Sequence, residues 1–395
     1  MSQSPRFPDG LDAQTFLRDY WQQRPLLMRQ ALPDIVNPLE PEELAGLACE
    51  PDIEARLITE HGEHPWQLQH GPFDESDFAA LPTSHWTLLV QDVDKHVPAA
   101  AALLDRFAFL PRWRMDDLMI SYAPDQGSVG PHLDAYDVFL VQTLGKRRWR
   151  ISSRRYDDDD LLPDLDIRVL RDFHTEQEWL LEPGDVLYLP PGVAHWGIAE
   201  GEHCMTCSVG LRSPSQRELA SSWFEHLLER ADDRQRYRDP ASLAPGLGGQ
   251  IPATVLTEVR ALLDSLRDWP DAELAGWFGC YITEPKPQLL PEPADEQIDV
   301  AELAQALADG ATLRAHPHAR LAFIDPGDGR PLLFADGERF TLPVISPGPG
   351  LRALCDRQSV GTEQLDETLH DLLVRLYNQG SLSWDGEDDD QDLYD

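Results

Sequence analysis

Between Trp86 and Leu211 the chain repeats one pattern, a short apolar or β-branched run closed by a turn, and this limits the fold more than any other feature. The runs are Trp86–Val90, Leu118–Tyr122, Val138–Thr143, Arg147–Ser152, Val186–Leu189 and Met205–Leu211, with Gly, Pro and Asp between them. Short strands at such spacing predict a β-sandwich or barrel, because each run must bury a face on another. A short helix opens the chain, with Asp12 as its cap and Phe16, Leu17, Tyr20 and Trp21 as its apolar face, followed by a strand-like Leu26-Leu27-Met28. With 395 residues the chain exceeds a single core, so further domains are expected.

The period changes after residue 212. Leu219, Trp223, Phe224, Leu227 and Leu228 form one helical stripe, and Val255, Leu256, Val259, Leu262, Leu263 and Leu266 a second. Helices without a sheet must bury those faces on a neighbouring domain or on a second copy of the chain. Pro285, Pro287, Pro291 and Pro293 form a linker into a third block. That block reads as helix 300–308, strands 321–324, 332–334 and 339–342, and helix 365–377, with hairpin signals at Pro326-Gly327-Asp328-Gly329 and Ala335-Asp336-Gly337. Helices with a small hairpin predict a winged helix over 291–384. Residues 385–395, with seven acids in eleven positions, read as an acidic, disordered tail.

Charge narrows the partners. The chain holds 33 Lys and Arg against 70 Asp and Glu, a formal net charge of −37. Residues 291–395 alone carry 7 basic and 22 acidic residues, so a DNA-binding wing is not expected. A basic protein is a natural partner, since opposite fields raise the encounter rate; acidity that only keeps the chain soluble is the alternative. No apolar run reaches the roughly 18 residues of a membrane span. The start lacks a signal-peptide pattern, and the cysteines at 49, 204, 207, 280 and 355 form no disulfide framework, so a cytoplasmic protein is expected.

His132-Leu133-Asp134 carries the chemistry. On an extended backbone, residues i and i+2 share a face, so both side chains can reach one ion. The context is a Gly127–Pro131 turn before the pair and Val138–Val141, apolar on both faces, after it. The expected third ligand is His195, at the end of the turn–strand–turn Glu182–Val193, where Pro190-Pro191-Gly192 stiffens the approach. Two His and one carboxylate leave three open positions, the arrangement of non-haem Fe(II) oxygenases. A histidine packed under Trp196 with no metal is the alternative.

Strand parity then assigns Arg147. It shares a face with Trp149 and Ile151, while Lys146, Arg148 and Arg150 share the other. The apolar face should look into the barrel, which carries Arg147 inward, and a buried guanidinium needs an anion. The distal carboxylate of 2-oxoglutarate would satisfy it; an internal salt bridge is the other solution. Three further patterns are set aside. Cys204 and Cys207 are spaced like zinc ligands but face opposite sides of a strand, and His316-Pro317-His318 reads as a loop. The pairs His61/Glu63 and His174/Glu176 read as surface or loop groups.

These residues resemble a known family. His132-x-Asp134…His195, Gly145-Lys146-Arg147-Arg148-Trp149 and the Pro-Gly-Asp…Pro-Pro-Gly turn resemble the JmjC oxygenases. Asp116–Ser121, Gly130–Phe139 and Tyr20–Leu27 are similar to the bacterial ribosomal oxygenases, most specifically across residues 12–212. The resemblance implies a mixed α and β chain: a JmjC/cupin double-stranded β-helix barrel over 1–212, a helical dimerisation region over 213–290, and a winged helix over 291–384. It implies Fe(II) on His132, Asp134 and His195, the 2-oxoglutarate carboxylate on Arg147, and support from Ser121 and Thr206. O₂ is the other co-substrate. Its implied substrate is the basic large-subunit ribosomal protein uL16, hydroxylated on the β-carbon of an arginine, with the enzyme a homodimer. Tyr136 and Asp137, just past the metal pair, are candidate contacts to a cationic side chain. The rival readings are an oxygenase acting on histidine, asparagine or methyl-lysine, a zinc or manganese cupin isomerase, and a non-redox metal-binding cupin with a regulatory winged helix.

Overall fold

The computed structural model describes residues 4–8, 10–61, 64–242, 249–266, 269–325, 331–342 and 348–386. The expected Pro326–Gly329 turn, Glu63 and nearly all of the acidic tail lie outside these. The chain forms two compact units, Met1–Ser213 and Pro214–Asp395. No helix among the described residues is long and apolar enough to cross a membrane.

The first unit opens with α1 (Ala13–Asp19), capped by Asp12, whose carboxylate accepts the Thr15 backbone N–H at 2.7 Å. Nine strands follow: β1 (Leu26–Met28), β2 (Ala55–His61), β3 (His64–His70), β4 (Trp86–Val90), β5 (Met115–Ala123), β6 (Asp137–Ser152), β7 (Gln177–Leu181), β8 (Val186–Leu189) and β9 (Ala194–Leu211). Short helices α2 (Pro41–Leu47), α3 (Glu75–Ala79) and α4 (Pro98–Leu104) interrupt them. The strands form one sheet in the order β1-β8-β6-β9-β5-β4-β2-β3, with β7 also on β6. Every pairing is antiparallel. This is the expected jelly-roll-like barrel, enlarged by the β2–β3 hairpin that the run pattern did not reveal.

Strand β6 decides what faces where. Phe139 and Val141 join the large core with Phe16, Met28, Leu118 and Tyr188. Val138 and Leu140 look the other way, with Trp149, Ile151 and Leu187. Even positions before residue 142 and odd positions after 146 thus share a face. The register shifts between Gln142 and Lys146 account for the reversal, since each inserted residue flips the side-chain parity. Gly145 makes the kink possible: its φ is +63°, and a Cβ there would lie 1.8 Å from the His203 carbonyl oxygen.

The second unit contains helices α5 (Gln216–Glu229), α6 (Ala253–Asp264), α7 (Asp271–Thr283) and α8 (Val300–Ala308). Then come β10 (Leu313–Ala315), β11 (Leu321–Ile324), β12 (Leu332–Ala335), β13 (Glu338–Thr341), α9 (Gly348–Cys355), α10 (His370–Asn378) and β14 (Leu382–Trp384). The β12–β13 hairpin turns on Asp336-Gly337, both at positive φ, as a two-residue turn of primed type requires. Helix α10 begins later than its apolar pattern suggested. Asp366 accepts the Thr368 N–H at 2.9 Å, and a 3₁₀ turn at Glu367–Leu369 takes the place of the first helical turn. Helices α7 and α9 and the β10–β14 pair are additions to the expected elements.

Candidate metal centre

His132 does not sit in a regular strand. It makes an isolated antiparallel bridge with His195, closed by His132 N–H to His195 O at 3.0 Å and His195 N–H to His132 O at 2.9 Å. The backbone therefore aligns two of the three expected ligands, and a third bond, Gly192 N–H to Asp134 O at 2.8 Å, ties in the carboxylate residue. Gly130, at φ +81°, shapes the approach, since a Cβ there would meet Val169 at 2.9 Å. Its N–H is held by Ser128 Oγ at 3.0 Å, and the same hydroxyl accepts from Trp196 Nε1 at 3.1 Å.

The imidazoles are oriented from behind. His132 Nδ1 lies 2.9 Å from Gly130 O, and His195 Nδ1 lies 3.0 Å from Val193 O. A carbonyl only accepts, so each Nδ1 carries the proton and each Nε2 presents a lone pair. The two Nε2 atoms stand 3.9 Å and 3.4 Å from the Asp134 oxygens. Ligand atoms of all three residues lie within 4.8 Å of one another, the one such cluster of three among the described residues. Burial first, then the neighbouring His132, pushes His195 down to about 4, so its ring is neutral near pH 7 as a metal ligand must be. The donor set and its orientation fit a divalent metal with open positions.

The centre opens into a cavity of about 460 Å³ whose wall includes Ser121, Tyr136, Arg147, Trp149 and Ser208. Arg147 is 5% exposed, and its Nε and Nη2 have no hydrogen-bond partner. Its outward neighbours are paired: Lys146 with Glu182, and Arg148 and Arg150 both with Glu178. The parity argument therefore places Arg147 correctly, and an unpaired buried guanidinium beside a metal centre fits an anionic ligand. Ser121 lines the cavity, its hydroxyl 3.4 Å from the Thr206 carbonyl. Tyr136 also lines it; desolvation first, then Asp134, raises its phenol.

Thr206 shares a face of β9 with the wall residues Ser208 and Gly210, and its hydroxyl donates to Gln142 Oε1 at 3.1 Å. Asp137 has no route to a substrate. It is fully buried on the core side of β6, accepting from Tyr188 Oη at 2.6 Å, Arg114 Nη2 at 2.9 Å and Gln22 Nε2 at 3.0 Å. Its neighbour in sequence, Tyr136, precedes the strand, so adjacency did not imply a shared face. Sequence reasoning also missed Asp117, although it shares the parity of Ser121 on β5. Asp117 lines the cavity beside Gln91 and Arg56; the Gln91 amide, oriented to satisfy both, faces Asp117 Oδ2 at 3.0 Å and Arg56 Nη2 at 2.7 Å. The zinc-like pair is no site: Cys204 and Cys207 belong to different core clusters, and burial pushes the Cys207 thiol up to about 12.

A barrel with two histidines and one carboxylate at its mouth defines a metal-binding protein of the cupin class. A JmjC domain model matches residues 102–219, and a ROXA-like winged-helix model matches 261–383, beginning within the expected helical region. The "Ribosomal protein uL16 3-hydroxylase" of Escherichia coli (strain K12) is 34% identical over 94% of this chain and 97% of its own length. A Haemophilus influenzae protein named "Probable ribosomal oxygenase" is 41% identical over 54% of this chain and 52% of its own. The structure of the E. coli ribosomal oxygenase YcfD in complex with cobalt and 2-oxoglutarate aligns with a TM-score of 0.80 at 32% identity, covering 96% of this chain and all of that one. The chain belongs to the JmjC ribosomal oxygenases.

Proposed function

We propose that the chain is an Fe(II)- and 2-oxoglutarate-dependent hydroxylase of a basic ribosomal protein, a uL16-type large-subunit protein, acting on the β-carbon of an arginine in the cytoplasm. His132, Asp134 and His195 hold the iron, Arg147 binds the distal carboxylate of 2-oxoglutarate, and Ser121 flanks it. The observation that carries this reading is the pairing of an oriented three-ligand cluster with an unsatisfied buried guanidinium in one cavity. When bound, Fe(II) with 2-oxoglutarate and O₂ supplies the oxidising power to insert one oxygen atom into a C–H bond, releasing succinate and CO₂.

The chain's own residues do the positioning. Gly130 and Val193 carbonyls fix the orientation of both imidazoles, which turns each Nε2 toward the Asp134 carboxylate. Arg147 sets one end of the co-substrate, which fixes where its other end meets the metal. Glu54, Asp117 and Asp166 bring carboxylates to the cavity wall, chemistry that suits a cationic side chain, and Tyr136 adds a phenol beside the metal pair. The excess of 22 acidic over 7 basic residues across 291–395 favours a protein-contacting wing over a nucleic-acid one.

Homodimerisation belongs to this reading. None of the described residues of α6 is buried, and Leu256 and Leu263 are each 60% exposed. Covering that apolar stripe with a second copy removes it from water. Light scattering on L256E/L263E should give a monomer where the parent gives a dimer.

The function is tested by intact-mass analysis of the homologous large-subunit ribosomal protein after incubation with enzyme, Fe(II), 2-oxoglutarate and O₂. A gain of one oxygen on an arginine, absent with His132→Ala, is the expected result. Consumption of 2-oxoglutarate without that gain would move the substrate to another protein. Neither event in the iron-loaded protein would favour the non-redox cupin.

A further inference from the structure

Trp149 carries a donor that the reading above does not use. Its side chain is 4% exposed, yet the indole Nε1–H has no hydrogen-bond partner. The ring packs among Val138, Leu140, Ile151, Leu181, Leu187 and Leu189, none of which offers a side-chain acceptor. An indole N–H is a donor only, and buried tryptophans ordinarily find an acceptor for it.

The placement of the ring is built. Trp149 pairs with Gly197 across β6 and β9, and a Cβ at Gly197 would meet the indole carbons at 2.7 Å. Only glycine leaves room for the ring to lie against the opposing strand. There the indole stands between the two functional ends of the cavity: its centroid is 5.8 Å from the Arg147 guanidinium carbon and 5.7 Å from the His195 ring centroid. Both Trp149 and Arg147 line the cavity, and each carries a buried donor without a partner.

We infer that the Trp149 indole N–H is a second donor to the carboxylate that Arg147 anchors, and so a co-substrate-positioning residue. A carboxylate offers about four acceptor sites, and a guanidinium fork takes two, which leaves capacity for a third donor. The assignment rests on the reading of Arg147 as the 2-oxoglutarate anchor. It adds that the tryptophan at this position contributes through its nitrogen as well as through its bulk.

The test uses the full-length protein loaded with Zn(II), which does not turn over. On addition of 2-oxoglutarate, the Trp149 indole N–H resonance in ¹⁵N-labelled protein should move downfield. Calorimetry should show Trp149→Phe binding 2-oxoglutarate about tenfold more weakly, as for loss of one hydrogen bond to a charged group. Metal affinity should be unchanged. Benzothienylalanine at 149, introduced by stop-codon suppression, keeps the bicyclic shape without the N–H. It should reproduce the loss even if the phenylalanine variant folds poorly, and in the Fe(II) enzyme it should raise KM for 2-oxoglutarate more than it lowers kcat. An unmoved resonance, with undiminished binding by the benzothienyl protein while Arg147→Met loses binding, would overturn the inference and leave the anchor standing. Failure of the parent protein to bind 2-oxoglutarate at all would overturn both.

Discussion

The two ends of β6 hold two buried charges in opposite circumstances. At the start, on the core side, Asp137 is satisfied by Tyr188, Arg114 and Gln22. Past the bulge, on the cavity side, Arg147 leaves two nitrogens unpaired. A buried charge with all its partners is part of the framework, whereas one without partners is held ready for something that arrives. Neither burial nor residue type separates these cases, and the partner inventory does. The same contrast holds for the aromatic residues, since Tyr188 both donates to Asp137 and accepts from Gln22 N–H, while Trp149 Nε1 is unmatched.

The comparison breaks first if the cavity is not where the chemistry occurs. His132→Ala or Asp134→Ala removes a ligand from a cluster of three, and hydroxylation should fall by on the order of a hundredfold or more. Thermal unfolding of the metal-free protein should barely change. A variant that retains turnover would place the reaction elsewhere.

Next in size is a crossed pair of substitutions. Asp137→Ala strands Arg114 and the Tyr188 hydroxyl in the core, and stability should drop by about 3–5 kcal/mol. Metal and 2-oxoglutarate binding by the folded fraction should survive. Arg147→Met should do the reverse, abolishing 2-oxoglutarate binding while leaving stability unchanged or raising it by about 1 kcal/mol or more, because an unsatisfied buried donor is removed. Denaturant titration and calorimetry on both variants check the crossing, and equal stability losses would erase the distinction.

Much of this was legible from residue order. Strand parity alone carried Arg147 inward, and His132, Asp134 and His195 were found from a tripeptide and a stiffened turn. What the sequence concealed is register. The bulge between Gln142 and Lys146 reverses which positions of β6 face the cavity, so Asp137 could not be placed by counting from Arg147. The β2–β3 hairpin, which supplies Arg56 to the cavity, escaped because its large apolar residues are few, Leu57 and Ile58 in β2 and Trp66 and Leu68 in β3, and make no strong run.

The smallest expected effect lies on the outer face of the same strand. Arg148 bridges Glu178 and Glu200, and Arg150 meets Glu178 again, a ladder open to water. Water already solvates these ions, and ordering long side chains opposes the Coulomb gain, so such pairs add little. Arg148→Ala should leave the melting temperature indistinguishable from the parent in moderate salt, and 2-oxoglutarate binding should be untouched. Arg147 and Arg148 are adjacent, identical in type and opposite in face, so a clear loss of co-substrate affinity in Arg148→Ala would mean that the register of β6 past the bulge is wrong. The inward assignment of Arg147 and Trp149 would then fall with it.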